Sequence, residues 1–214
     1  MRLDLHVHTW RSPDSRSTYD DIVARAVDHG LDGLAITDHN TIAGALDMVG
    51  RAPFRIIVGE EIRTPEGEII GLFLQEEIPR GLPLEETVAR VKTQGGLVAV
   101  PHPFDRIRRG SALGEAALRR VLDQVDIIEG FNARSLVPGD NERAQAIAEE
   151  NGLPCSAGSD AHAPYEIGAT YVNVADWHTP AEFLQNLRTA QITGQLSSPF
   201  VRVSSTWAKL LERL

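Results

Sequence analysis

The sequence predicts an α/β fold built on a largely parallel sheet, and three observations carry that reading. Short apolar runs alternate with amphipathic stretches along almost the whole chain. Helix-capping signals sit at the junctions between them. The length, 214 residues, fits one large domain better than two.

The elements follow in order. Strand patterns cover 2–8, 33–37, 55–61, 68–74, 97–102, 125–131, 153–158 and 169–174. Helical patterns cover 18–29, 41–50, 83–94, 114–124, 140–151 and 179–190, with a further one at 204–213. Ser17 and Thr18 each precede an aspartate by three positions, the spacing of a capping box with a shorter acid. Thr179-Pro180 reads as an N-cap followed by proline at the first helical position. Gly30 and Gly152 fall just past helix ends, where glycine adopts a left-handed cap cheaply. Strand followed by helix, repeated six or seven times, implies parallel strands with right-handed crossovers. Two architectures meet that description, an open doubly wound sheet and a closed barrel. No GxGxxG or GKS/GKT motif follows the first strand, so nucleotide-binding forms lose support.

Composition removes further classes. The formal charge of −9 argues against coating long nucleic acid and against anionic membranes. The single cysteine, Cys155, rules out an intrachain disulfide and a cysteine zinc cluster, and reads as a small core residue. The start MRLDLHVHTW has no apolar leader pattern, so a cytoplasmic location is the expectation.

The chemistry lies at the strand ends. Of seven histidines, five (His6, His8, His39, His102 and His162) fall at or just past the end of a predicted strand. In a parallel barrel that rim forms the active site. On the first strand, period-two alternation puts Leu3, Leu5 and Val7 on one face and Asp4, His6 and His8 on the other. Two imidazoles then point together, as a chelating pair. Asp160 and His162 in GSDAH share the same parity, and of Glu60 and Glu61 only one can face inward. Clustered imidazoles with Asp14, Glu61 and Asp160 are costly to bury uncompensated, and divalent cations are the natural compensation. Mixed imidazole and carboxylate donors suit Zn, Mn or Fe rather than an all-oxygen cage.

Read in order, DLHVHT (4–9), Ser12-Pro13-Asp14, ITDHN (36–40), GEEI (59–62), VPHPFD (100–105) and GSDAH (158–162) resemble the PHP (polymerase and histidinol phosphatase) family. The chain is similar to its small, stand-alone members described as metal-dependent phosphoesterases. The resemblance spans about residues 2–174 and implies a distorted seven-stranded (β/α) barrel; the length gives one domain over residues 1–214, and the helical spacing of Trp207, Leu210, Leu211 and Leu214 at 204–213 reads as a helix closing the barrel or, alternatively, a dimer contact. The resemblance also implies two or three divalent ions (Mn, Zn or Fe). His6, His8, Glu61 and Asp160 would hold the first; Glu61 would bridge to a second, shared with His102. Asp14, His39 and His162 would hold a third. Glu61 is preferred to Glu60 because the family pattern is Gly-x-Glu before an aliphatic residue. Glu68 stands where many relatives carry a histidine, a harder oxygen donor for the second ion.

For substrate the candidates are Asn132, as a weak ligand or contact, and Arg134 and Arg106, as two-pronged phosphate donors. Arg108 and Arg109 lie further along the basic loop 103–113. The activity implied is hydrolysis of a small phosphomonoester or short nucleotide phosphate by a metal-bridging hydroxide, with His39 or Asp160 assisting proton transfer. The other readings are hydrolysis of a non-phosphate ester or amide, and a non-catalytic metal-bearing module.

Overall fold

A computed structural model describes residues 1–108, 110–137 and 139–197. The 204–213 helix and Arg109 lie outside the described residues.

Among the described residues nine strands form one sheet: β1 (Arg2–Val7), β2 (Gly33–Ile36), β3 (Arg55–Arg63), β4 (Glu68–Leu72), β5 (Leu97–Val100), β6 (Ile127–Asn132), β7 (Cys155–Gly158), β8 (Thr170–Asn173) and β9 (Gln191–Gly194). Among the described residues six α-helices accompany them: α1 (Tyr19–Asp28), α2 (Ala43–Met48), α3 (Leu84–Thr93), α4 (Gly114–Val121), α5 (Asp140–Glu150) and α6 (Pro180–Leu187). Each falls within a predicted helical stretch. Thr18 and Thr179 cap α1 and α6 through their hydroxyls, which accept from the backbone N–H groups of Asp21 and Glu182.

The strand order is β7-β6-β5-β4-β3-β2-β1-β8-β9. The sheet curls into a nearly closed, distorted barrel, with two strands more than the seven the resemblance implies. It is not wholly parallel either: β4 runs antiparallel to β3 and β5, and β8 to β1 and β9. The physical reason is connection length. Parallel neighbours need a crossover helix, whereas β3 and β4 are joined by a tight turn. In that turn Thr64 Oγ1 donates to the Gly67 carbonyl and Gly67 takes φ +155°.

The seam matters most. The lower part of β1 pairs with β8 at Arg2 and Leu3. Its upper part instead meets the segment after β7, where Asp160 N–H donates to the His6 carbonyl (2.8 Å) and His8 N–H to the Ala161 carbonyl (3.0 Å). Buried Leu3, Leu5, Ala35, Ile70, Val172 and Phe183 fill one core cluster, and Ile62, Ile69, Val88, Val98 and Leu118 another. Because β1, β2, β3, β5, β6 and β7 point one way, their C-terminal ends share a rim. Reversed β4 begins at that rim, where Glu68 pairs with Arg63.

Candidate metal centre

Each donor reaches the rim by local geometry. Alternation along β1 turns His6 and His8 the same way, opposite buried Leu5 and Val7. Beside them β7 approaches so closely that a Cβ on Gly158 would stand 2.3 Å from the His6 Cβ. His102 and Asp160 both hold left-handed backbone, φ 28° and 54°. Such conformations cost about 1–3 kcal/mol each and persist only where surroundings enforce them.

Four donor atoms converge first. His6 Nε2 lies 3.1 Å from His8 Nε2, 3.5 Å from Glu61 Oε2 and 3.7 Å from Asp160 Oδ1. His8 Nε2 is 3.4 Å from each of the same two oxygens. Donors about 2.0–2.2 Å from one tetrahedral zinc stand about 3.3–3.6 Å apart. These residues therefore fit a transition metal. Buried Asp160 Oδ1 has no hydrogen-bond partner among the described residues, as a ligand oxygen requires.

Glu61 spans two sets. Its Oε1 is 3.0 Å from His102 Nε2, which is 3.9 Å from Glu68 Oε2. A third group surrounds Asp14: its Oδ1 is 3.5 Å from His39 Nε2 and its Oδ2 is 3.3 Å from His162 Nε2. His39 Nδ1 returns to Glu61 Oε2 at 3.1 Å. The donor sets His6–His8–Glu61, His6–His102–Asp160, Glu61–Glu68–His102 and His8–His39–His162 are each close enough to hold an ion.

A second layer orients the imidazoles. His6 Nδ1 faces Glu129 Oε1 at 2.9 Å, leaving Nε2 for the cluster. His8 Nδ1 faces Ser12 Oγ at 3.0 Å, and that hydroxyl donates to Asp38 Oδ1 (2.8 Å). Asp38 also accepts from the Thr9 backbone N–H and hydroxyl, both at 2.7 Å. Glu129 Oε2 accepts from His102 N–H (2.7 Å) and Asn132 Nδ2 (3.0 Å). His162 Nδ1 sits between the Asp160 carbonyl (2.8 Å) and Arg134 Nη1 (2.6 Å).

Electrostatics suit cations. Burial opposes charge on Glu61, but His6 and His39 hold it well below the usual carboxylate range. Burial likewise opposes charge on Asp160, and Arg108 and His6 outweigh it. Asp14 is kept ionised against burial by His162 and His39. His8 is pushed well down by burial and by His162, so its imidazole is neutral. Against burial, the same carboxylates hold His6 and His39 well up, a compensating charge that a bound cation would supply instead.

The structure thus brings together all nine candidate ligands: His6, His8, Asp14, His39, Glu61, Glu68, His102, Asp160 and His162. Glu60 turns away and accepts from the Ile78 N–H at 2.9 Å. Asn132 lies at the site, where Nδ2 also donates to Asp160 Oδ2 (3.1 Å) and Oδ1 accepts from Arg134 N–H (3.0 Å). Arg134 is buried against His162, with its Nε 3.3 Å from Glu166 Oε2. Arg106 points outward, 61% exposed, and pairs with Asp140 (2.8 Å). Arg108 enters the site instead and contacts Asp160. Sequence reasoning missed Glu129; of the two acids in VDIIEGF it is the one enclosed within the apolar run, and that was a usable signal. Half-buried Cys155 packs against the core, and burial pushes its thiol up. No described helix is long and apolar enough to cross a membrane.

Comparison with known proteins agrees with this picture. A family model for the PHP domain matches residues 4–93, and one described as PHP-associated matches residues 138–192. The uncharacterized protein MJ1587 of Methanocaldococcus jannaschii is 39% identical over 150 residues, 64% of this chain and 86% of the relative. The uncharacterized protein MJ0417 of the same organism is 36% identical over 197 residues, 88% of this chain and 79% of the relative. Among solved structures, a two-domain protein from Bacteroides vulgatus described as containing a predicted PHP-like metal-dependent phosphoesterase shares the fold. Its TM-score is 0.71 at 17% identity, over 97% of this chain and 69% of that one. Motifs, barrel and relatives converge: the chain belongs to the PHP family.

Proposed function

We propose that the protein is a phosphoesterase acting on a small phosphomonoester or short nucleotide phosphate with two or three divalent ions (Mn, Zn or Fe). The observation carrying this reading is the meeting of His6, His8, Glu61 and Asp160 donors 3.1–3.7 Å apart, with Glu61 turned also to His102. His6, His8, Glu61 and Asp160 would hold the first ion, Glu61, His102 and Glu68 the second, and Asp14, His39 and His162 the third. When bound, such ions supply Lewis acidity to the phosphate and lower the pKa of the attacking water.

The chain's own groups do the remaining work. Glu61, reaching both sets, fixes their separation. The Glu129 and Ser12 contacts keep His6 and His8 in the tautomers that present Nε2. Arg63, 42% exposed beside Glu68, offers an approaching phosphate an accessible guanidinium at the rim. While the third set holds no ion, His39, 18% exposed, is open enough to pass a proton to a leaving oxygen, whereas Asp160 is fully enclosed. The acidic overall charge favours a small substrate over a long polymer.

The test is phosphate release from a panel of phosphomonoesters and nucleotides with each metal, in wild type, His6→Ala and Asp160→Ala. Metal-stimulated release lost in both variants supports the reading. Turnover of carboxylic esters or amides without phosphate release would move the protein to another hydrolase class. No turnover with metal bound would leave a metal-bearing module.

A further inference from the structure

The loop after β5 sends one arginine into the centre, and each of its three guanidinium nitrogens has one acceptor there. Arg108 Nε pairs with Asp105 Oδ2 at 3.1 Å, Nη1 contacts Asp160 Oδ2, and Nη2 donates to Asn132 Oδ1 at 3.3 Å. Asp105 is itself buried, and its Oδ1 accepts from the N–H groups of Ile107 and Arg108 at 2.9 and 3.1 Å. That turn aims the guanidinium inward and leaves it 17% exposed. Asp160 consequently has two unlike oxygens. Oδ2 is held by Arg108 and by Asn132 Nδ2, while Oδ1 faces His6 and His8. A carboxylate pinned through one oxygen has only the other to give.

We infer that Arg108, aimed by Asp105, is a positioning residue that holds Asp160 to single-oxygen coordination at the first metal set and does not bind the substrate phosphate. This rests on the metal-centre reading above. A phosphate-binding arginine keeps donors turned to the open mouth, whereas each nitrogen of Arg108 faces a site acceptor. Releasing Oδ2 frees the carboxylate to chelate with both oxygens, which raises the coordination number.

Cobalt(II) reports coordination number in its visible absorption, intense at four-coordinate centres and weak at higher coordination. Cobalt is titrated into metal-stripped full-length protein for wild type, Arg108→Gln, Arg108→Lys and Asp105→Asn. Inorganic phosphate affinity is then measured on each cobalt-loaded form. The expected result is a visible band that is weaker in all three variants than in wild type, with phosphate affinity within about threefold of wild type, well short of the tenfold that 1.4 kcal/mol represents. Lysine fails to rescue because one ammonium cannot span three acceptors. Asp105→Asn keeps an oxygen for the turn, so it reads the same effect should Arg108→Gln fold poorly. An unchanged band with phosphate affinity reduced tenfold or more would overturn the inference and make Arg108 a substrate contact. An unchanged band with unchanged phosphate affinity would overturn it too. A wild type that takes up no cobalt defeats the metal-centre reading itself, a result distinct from either.

Discussion

Replacing Gly158 with alanine adds one methyl group where β7 meets β1. Its φ lies outside the left-handed region, so alanine suffers no backbone penalty there and the effect is one of contact alone. The new Cβ would stand 2.3 Å from His6 Cβ, 2.8 Å from Glu129 Oε1 and 3.1 Å from His6 N. Since His6 Cβ is fixed to backbone, no rotamer relieves the clash, and the strands must part by about 1 Å to reach ordinary contact. Overpacking of this kind costs about 1–3 kcal/mol. For a chain of this size that lowers the melting temperature by roughly 2–12 °C. The displaced residue carries a donor atom, so metal affinity falls as well; misplacement by about 1 Å is the scale at which sites lose function. Thermal unfolding of the metal-stripped protein reads the first effect, and competition against a chelating dye reads the second. A variant that melts with wild type and binds metal with wild-type affinity would refute the reasoning.

Three further outcomes follow from the geometry. Glu129→Gln keeps one acceptor but sets an NH2 donor against either His6 Nδ1 or the His102 N–H, and metal affinity is expected to fall about 10–100-fold by chelator competition. Glu68→Ala removes a donor from the second set only; metal analysis after dialysis should show about one equivalent less per chain, and unchanged stoichiometry would exclude Glu68 as a ligand. Glu60, enclosed away from the centre, is pushed up by burial to about 8 from an ordinary value of 4.5. The folded chain therefore keeps a proton that the unfolded chain releases between those values. Its contribution to stability is full below about 4.5 and declines as pH rises to about 8. Urea unfolding across that window should show a shallower pH slope in Glu60→Gln and greater stability than wild type at the alkaline end.

Much of this was legible in the residues, for reasons that also mark where legibility stopped. Period-two alternation identified His6 and His8 as a pair, because β1 is regular and apolar on its other face. Helix caps at Thr18 and Thr179 were readable because capping is local. β9 was not: QITG is short and mostly exposed, and its pairing with β8 is fixed by tertiary neighbours. The reversal of β4 lay implicit in the absence of a helical pattern between 61 and 68. The choice among arginines was beyond sequence. Arg106 and Arg108 share one loop, and only the Asp105 turn and Asp140 on α5 decide which points inward. Glu129 stayed hidden because its partners, His6 and the His102 amide, lie 123 and 27 positions away.

The seam between β1 and the segment after β7 carries a consequence for how the molecule comes into being. His6 and His8 lie roughly 150 positions before Asp160 and Ala161, which complete their surroundings, so a growing chain adds the latter much later. Until then the first strand has a partner on one side only, and contacts spanning such sequence distances slow folding. A cation held there would clasp the first strand to the segment after β7, so adding metal during refolding is expected to raise the yield of native protein.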